Sequence, residues 1–219
     1  VEQSIVKSLI EKVIKKAGDT PEIKESLRIM EKSTIRLVDL TNQLLDFRQT
    51  EIKGFSLNFV QANISELLED TYLGFKPLAE QKDITFTMGA LPQSLYALID
   101  IEAFTKILVN LFSNAVKYAK SKVEVSLLPI KETDKSFTIE LKNDGYIIPY
   151  EMKEKIFEPF FRLKETEKQK GTGIGLALSR SLAQLQKGVL DLKEPENNMN
   201  VFFITMSLSL ENMTDKKQQ

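Results

Sequence analysis

Three glycines at alternate positions lie in the stretch Gly171-Thr172-Gly173-Ile174-Gly175-Leu176, directly ahead of a helical pattern from Leu176 to about Gln186 that Gly188 ends. No other stretch restricts the fold as much. Glycine leaves no Cβ in the way, so other groups can approach the backbone N–H donors of the loop. The helix behind it turns unpaired N–H groups and the positive end of its dipole toward the same space, which suits an anion. Alternate glycines also make ordinary turns, so the meaning of this stretch depends on what the rest of the chain sets against it.

The rest of the chain divides into a helical start and a mixed remainder. Ile5, Leu9 and Val13 recur at one-turn spacing before Ala17-Gly18-Asp19-Thr20-Pro21 breaks the pattern. A second helix is predicted from about Glu22 to Glu51. Its Ile23, Met30, Leu37 and Leu44 lie seven apart, with Leu27, Leu40 and Phe47 beside them. A seven-residue period favours a supercoiled bundle, and two helices alone bury little, so a dimeric four-helix bundle is expected. Lys53-Gly54 marks the boundary. Beyond it come a helix from Ser65 to Leu78, strands at Ile84–Met88, Leu95–Ile99, Val123–Leu127 and Phe137–Leu141, a helix capped by Asp100 and running to about Lys120, and closing strands at Val189–Leu192 and Val201–Leu208. The predicted class is α+β: an N-terminal helical hairpin over residues 1–53, then a layered α/β sandwich over 54–211 with helices on one face of a mixed sheet, then a polar tail over 212–219.

Composition removes several kinds of chemistry. The 219 residues are 42% apolar, enough for a core, and 28% charged, with a net charge of −1 that offers no overall field for nucleic acid. Cysteine and histidine are both absent, so disulfide, thiolate and zinc sites are not expected. No apolar run approaches the roughly 20 residues that span a bilayer.

The helix from Asp100 carries Asn110, Asn114, Lys117 and Tyr118 on one face, with Leu108, Leu111, Phe112 and Ala115 as a separate apolar stripe. An amide oxygen is a hard ligand suited to Mg²⁺, which completes its shell with phosphate oxygens and water. Lys117, one turn further on, can neutralise a phosphate. A solvated polar face would look the same in isolation. Beside the glycine loop, the amides read as one side of a nucleotide site with a metal-bridged triphosphate. The charged segment Arg162–Lys170 has the length and polarity of a lid or of a plain loop. Asn143-Asp144-Gly145, after a strand, could hydrogen-bond a base or simply turn the chain. The aromatic run Ile156-Phe157-Glu158-Pro159-Phe160-Phe161 is expected to anchor the root of the lid to the core.

These blocks resemble, in order and spacing, the sensor histidine kinases of bacterial two-component systems. The asparagine helix resembles their N box, Asn143-Asp144-Gly145-Tyr146-Ile147-Ile148-Pro149 their first glycine box, Phe157-Glu158-Pro159-Phe160 their F box, and Gly171 to Leu178 their second glycine box. Leu40-Thr41-Asn42-Gln43-Leu44-Leu45-Asp46-Phe47-Arg48 resembles the second helix of their dimerisation domain, and the flavour is that of the hybrid kinases of Bacteroides-type bacteria. The resemblance implies a Bergerat fold that binds ATP and Mg²⁺, with Asn114 as principal metal ligand and Asn110 supporting metal or phosphates. It implies Lys117 on phosphate, Tyr118 lining the cleft, and Asn143, Asp144 and Gly145 at the base. Gly171, Thr172, Gly173, Gly175 and Leu176 would close on the phosphates. It also implies a homodimer, a response-regulator receiver domain as partner, and a cytoplasmic position in an inner-membrane-anchored sensor.

Three departures stand against the pattern. Asn143 occupies the place of the adenine-reading aspartate, with Asp144 one residue on and Ile147 in place of the next glycine. Asn197-Asn198-Met199-Asn200 replaces a late glycine motif. The phosphoacceptor histidine is absent, and the chain is expected to begin just after it, so this fragment is not expected to autophosphorylate. Two other readings follow from the same residues. A gyrase-like or heat-shock-protein-90-like ATPase would need a glutamate at the Asn110 position, and an amide is no general base. A degenerate module would dimerise and relay conformation without catalysis.

Overall fold

The computed structural model describes residues 13, 21–51, 56–131, 133–166, 169 and 171–209. The chain divides into two units, Val1–Arg48 and Gln49–Gln219. Lys53, Gly54, the predicted helix of Ile5 and Leu9, and the tail over 212–219 lie outside the described residues.

The first unit is built on α1 (Pro21–Glu51), 31 residues long. Ile23, Met30, Leu37 and Leu44 are all exposed in the single chain, and their seven-residue spacing sets them along one seam. Thr34 and Thr41 return their hydroxyls to the carbonyls of Met30 and Leu37 at 2.9 Å each, so neither interrupts the helix with an unmet polar group.

The second unit runs β1 (Phe59–Asn63), α2 (Ile64–Gln81), β2 (Thr85–Met88), β3 (Tyr96–Asp100), α3 (Ile101–Tyr118), β4 (Lys122–Leu127), β5 (Ser136–Asn143), α4 (Gly175–Leu185), β6 (Val189–Glu196) and β7 (Met199–Ser207). Five strands form a sheet in the order β2-β4-β5-β7-β6, and β1 pairs antiparallel with β3 apart from it. The β2–β4 pair is parallel and the others antiparallel, so the sheet is mixed as expected. Period-two alternation sends Phe137, Ile139, Leu141 and Asn143 of β5 to the face covered by the helices. Phe104 of α3 meets Phe137 edge-on at 6.1 Å, and Phe112 meets Phe86 of β2 and Phe75 of α2, each at 5.9 Å. Full burial of Phe112 contributes roughly 2–3 kcal/mol.

Two features were not expected. β1, a strand that no predicted element covers, pairs Phe59 to Asn63 against Asp100 to Tyr96. β6 and β7 are longer than predicted and meet in a two-residue turn at Asn197 and Asn198, whose φ values of 51° and 59° are those of a primed hairpin turn. Asparagine tolerates this left-handed region, so the hairpin closes without glycine.

Candidate functional site

The phase of α3 is set at its start. The Asp100 carboxylate accepts from the Ala103 N–H at 2.9 Å and from the Asn58 N–H at 2.7 Å, fixing where the first turn begins. Counting from there, Leu108, Leu111, Phe112 and Ala115 fall into the core, while Asn110, Asn114, Lys117 and Tyr118 remain partly accessible on the other face.

The glycine stretch comes to this face. A Cβ on Gly171 would lie 2.6 Å from Lys117 Nζ and 3.8 Å from the Tyr118 hydroxyl. A Cβ on Gly175 would overlap the Asn110 carboxamide. The asparagine helix and the glycine stretch are therefore neighbours, with Gly171 beside the Lys117 ammonium and Gly175 beside the Asn110 carboxamide. The neck of the loop is pinned as well. Gly173 has φ +77° and Phe160 has φ +66°, and the Phe160 N–H donates to the Gly173 carbonyl at 3.0 Å. A Cβ on Gly173 would stand 2.8 Å from the Phe160 backbone. Residues 161–172 thus leave and return through one closed neck; Glu167, Lys168 and Lys170 within them lie outside the described residues.

The polar groups at this end are partly unengaged. Asn110 donates through Nδ2 to the Ser179 hydroxyl of α4 at 2.7 Å. The Asn114 side chain makes no hydrogen bond among the described residues. Lys117 donates to the Tyr118 hydroxyl at 2.7 Å, with its ammonium 4.3 Å from that ring's centre. Ile174 stands at the N-cap of α4, so no side chain caps the helix, while Thr172 accepts from the Ile174 N–H at 3.3 Å. An uncapped helix start beside a lysine and a free amide is a place for an anion with its counter-ion. Among the described residues no three Asp, Glu, His or Cys side chains gather to hold a metal. A divalent ion would fit only with amide oxygens, ligand phosphates and water, as Mg²⁺ accepts. Leu176 enters through its backbone, in the first turn of α4.

The other end adjoins Tyr118. Gly145 packs so closely on the Tyr118 carbonyl that a Cβ there would overlap it. Asn143 is buried, and its Oδ1 accepts from the Gly145 N–H at 3.1 Å and from Asn200 Nδ2 at 3.2 Å. Asn200 also donates to the Tyr146 carbonyl at 2.9 Å and accepts from the Ile148 N–H at 2.8 Å. Asp144 faces elsewhere. Its carboxylate accepts from the N–H groups of Lys120, Ser121 and Lys122 and from the Ser121 hydroxyl, closing the passage from α3 into β4. Partial burial would raise this carboxyl, but the Ser121 hydroxyl and the Ser121, Lys122 and Lys120 N–H groups together lower it to about 2.

The aromatic run divides. Ile156 and Phe157 are buried, whereas Phe160 is 60% exposed and serves the neck through its backbone rather than anchoring the root. Phe157 is overlaid by the Arg180 guanidinium of α4 at 4.1 Å, and Arg180 pairs with Glu154 at 2.8 Å and Asp191 at 3.3 Å. Lys153 also meets Asp191 at 2.8 Å. Arg180, Ser179 and Asn200 were not found by motif, because each acts by reaching across elements distant in sequence.

Comparison with known proteins follows the same lines. Residues 99–210 match the family described as histidine kinase-, DNA gyrase B- and HSP90-like ATPase. The chain is 28% identical over 198 residues, 88% of its length, to histidine kinase P4 of Formosa agariphila, and spans 14% of that relative. Its fold is similar to that of full-length ShkA in complex with AMPPNP, with TM-score 0.73 and 20% identity, covering 93% of this chain and 44% of that one. It is similar also to histidine kinase ThkA in complex with response regulator protein TrrA, with TM-score 0.70 and 23% identity, covering 95% of this chain and 58% of that one.

Proposed function

We propose, from the premise that the chain belongs to the histidine kinase-, DNA gyrase B- and HSP90-like ATPase family, that it is the ATP-binding kinase core of a two-component sensor. The observation that carries this is the meeting of α3 and the glycine stretch, where Gly171 lies against Lys117 and Gly175 against Asn110. Asn114 holds Mg²⁺ and Asn110 supports it or the phosphates. Lys117 and the N–H groups of the Gly171–Leu176 stretch other than that of Ile174 hold the phosphate oxygens, and Thr172 keeps the turn by accepting from Ile174. Tyr118 lines the cleft toward the base, where Asn143 and Gly145 lie. Asp144 acts by fixing the turn that carries them. Magnesium, when bound, supplies charge neutralisation on the phosphates.

In the reaction proposed for the whole protein, the γ-phosphoryl group leaves the β-phosphate oxygen and joins a histidine nitrogen, then passes to a receiver aspartate. This chain's residues position and neutralise, which is most of what phosphoryl transfer requires. The chain contains no histidine, so the acceptor lies outside it. The α1 seam is the proposed homodimer contact, and the ThkA–TrrA complex supports a response regulator as the downstream partner. Among the described residues no helix is long and apolar enough to cross a membrane; we assign membrane anchoring to the rest of the proposed sensor.

Asn110 is an amide whose NH₂ is engaged by Ser179, so no general base stands one turn ahead of Asn114, and dedicated hydrolysis is disfavoured. The test is γ-labelled ATP with the chain alone and with the chain extended by the residues that precede it in its gene product. The extended protein should gain an acid-labile, nitrogen-bound label and its Asn114→Ala variant should not. An acid-labile label on the chain alone, or sustained ATP turnover at the rate of a dedicated ATPase, contradicts the assignment.

A further inference from the structure

The neck of the glycine stretch is fastened by the Phe160 N–H on the Gly173 carbonyl. A second fastening lies behind it. Arg180 of α4 follows Gly173 in the chain, and Glu154 and Phe157 precede Phe160. The Arg180 guanidinium lies over the Phe157 ring, 4.1 Å from its centre, and donates to both Glu154 oxygens, at 2.8 and 3.4 Å. It donates also to Asp191 Oδ1 of β6 at 3.3 Å, while Lys153 meets Asp191 Oδ2 at 2.8 Å. One side chain thus ties the segment that enters the neck to the helix that leaves it, and both to the sheet. Arginine suits this place, because a planar fork can bridge two carboxylates while its face covers a ring, and an ammonium cannot.

We infer that Arg180, held by Asp191 and Glu154, is a positioning residue for the phosphate end: it sets the direction in which α4 leaves the neck. The inference rests on the reading of this cleft as a metal–nucleoside triphosphate site. The uncapped start of α4 places Gly175 against Asn110, and Ser179, next to Arg180 in the chain, accepts from the Asn110 amide. A small swing of α4 would therefore move its first N–H groups and Asn110 together, and a misplacement of about 1 Å is enough to lose much of what positioning supplies. Arg180 acts through the helix, with its own guanidinium turned to Phe157, Glu154 and Asp191. Exposed ion pairs add little to stability. The Glu154 side chain is 72% exposed, so what its pair with Arg180 supplies is direction more than strength.

The test is calorimetry of the chain and two variants with Mg²⁺ and the β,γ-imido analogue of ATP, at a temperature where urea melts show each protein folded. Arg180→Lys keeps the charge and loses the fork, and should weaken binding about fivefold. Asp191→Asn keeps the shape and the oxygen that accepts from the Leu192 N–H, and removes a negative charge. By charge alone that change would tighten the binding of an anion; as a loss of positioning it should weaken binding about threefold. A residue that only stabilised the fold would move the melt and leave the affinity of the folded chain as it was. Unchanged affinity in Arg180→Lys overturns the inference, and so does equal or tighter binding in Asp191→Asn; in either case the nucleotide site itself stands. Failure of the unaltered chain to bind the analogue removes the nucleotide reading and this inference together. Should one variant fail to fold, the other decides alone.

Discussion

The two ends of the cleft are built from the same chemistry and used in opposite ways. At the phosphate end Asn114 is unengaged, α4 begins without a side-chain cap, and glycines keep the backbone bare. At the proposed base end Asn143, Asn200, Gly145, Tyr146 and Ile148 are joined by hydrogen bonds to one another. Buried polar groups are normally paired, so unengaged ones mark a place that a ligand completes. The difference teaches that the end at Asn114 and the glycine stretch, which we propose for the phosphates, keeps polar groups open, while the end at Asn143 is closed into a structural network.

Substitutions at the two ends should therefore separate binding from stability. The largest effect is expected at the phosphate end: Asn114→Ala should weaken Mg²⁺-dependent binding of a non-hydrolysable triphosphate about a hundredfold, while leaving the denaturation midpoint within measurement, since the amide holds nothing within the protein. At the base end Asn200→Ala removes three hydrogen bonds from a buried network and should cost about 2 kcal/mol in urea denaturation. A null result in either experiment would erase the contrast. Gly173→Ala sharpens it at the neck. The new side chain would meet the Phe160 backbone at a φ of +77°, and binding should fall about tenfold with a loss of about 1 kcal/mol in stability.

The smallest effect is expected at Asp144, outside both ends. Its carboxyl titrates at about 2 in the folded chain against an ordinary 3.8. A lowered folded value means that its contribution is complete above the ordinary value and is lost as the pH falls from there through about 2. Asp144→Asn should cost about 1 kcal/mol at neutral pH, and urea melts of the two proteins should converge as the pH approaches 2. A constant difference across that range would show that the carboxylate charge is not what the three N–H groups hold.

Much of this was legible in the sequence because it depends on local rules. The seven-residue spacing of Ile23, Met30, Leu37 and Leu44 announced α1, Asp100 announced the start of α3, and the glycines of 171–175 announced a close approach. What escaped did so for physical reasons. β1 has no clean alternation, since Val60 and Gln61 are both exposed, so period two never shows. The extension of β6 to Glu196 crosses Pro195, a residue that ordinarily marks the end of a strand but is tolerated at a sheet edge. Asn197 and Asn198 supply, in the left-handed region, a turn that glycine more commonly makes. Asn143 and Asp144 stand together in the sequence at a turn that could hydrogen-bond a base or simply reverse the chain. Their partners, Asn200 for one and residues 120–122 for the other, are ones that no spacing along the chain discloses.

The central claim is that α3 and the glycine stretch hold one metal–triphosphate between them. The most direct measurement is NMR of the chain with a non-hydrolysable nucleoside triphosphate and Mn²⁺ in place of Mg²⁺. The account predicts strong paramagnetic broadening of the Asn114 and Asn110 side-chain amides and of the N–H signals from Gly171 to Leu176, and only with nucleotide present. Broadening that spares those signals, or that is the same without nucleotide, would contradict it.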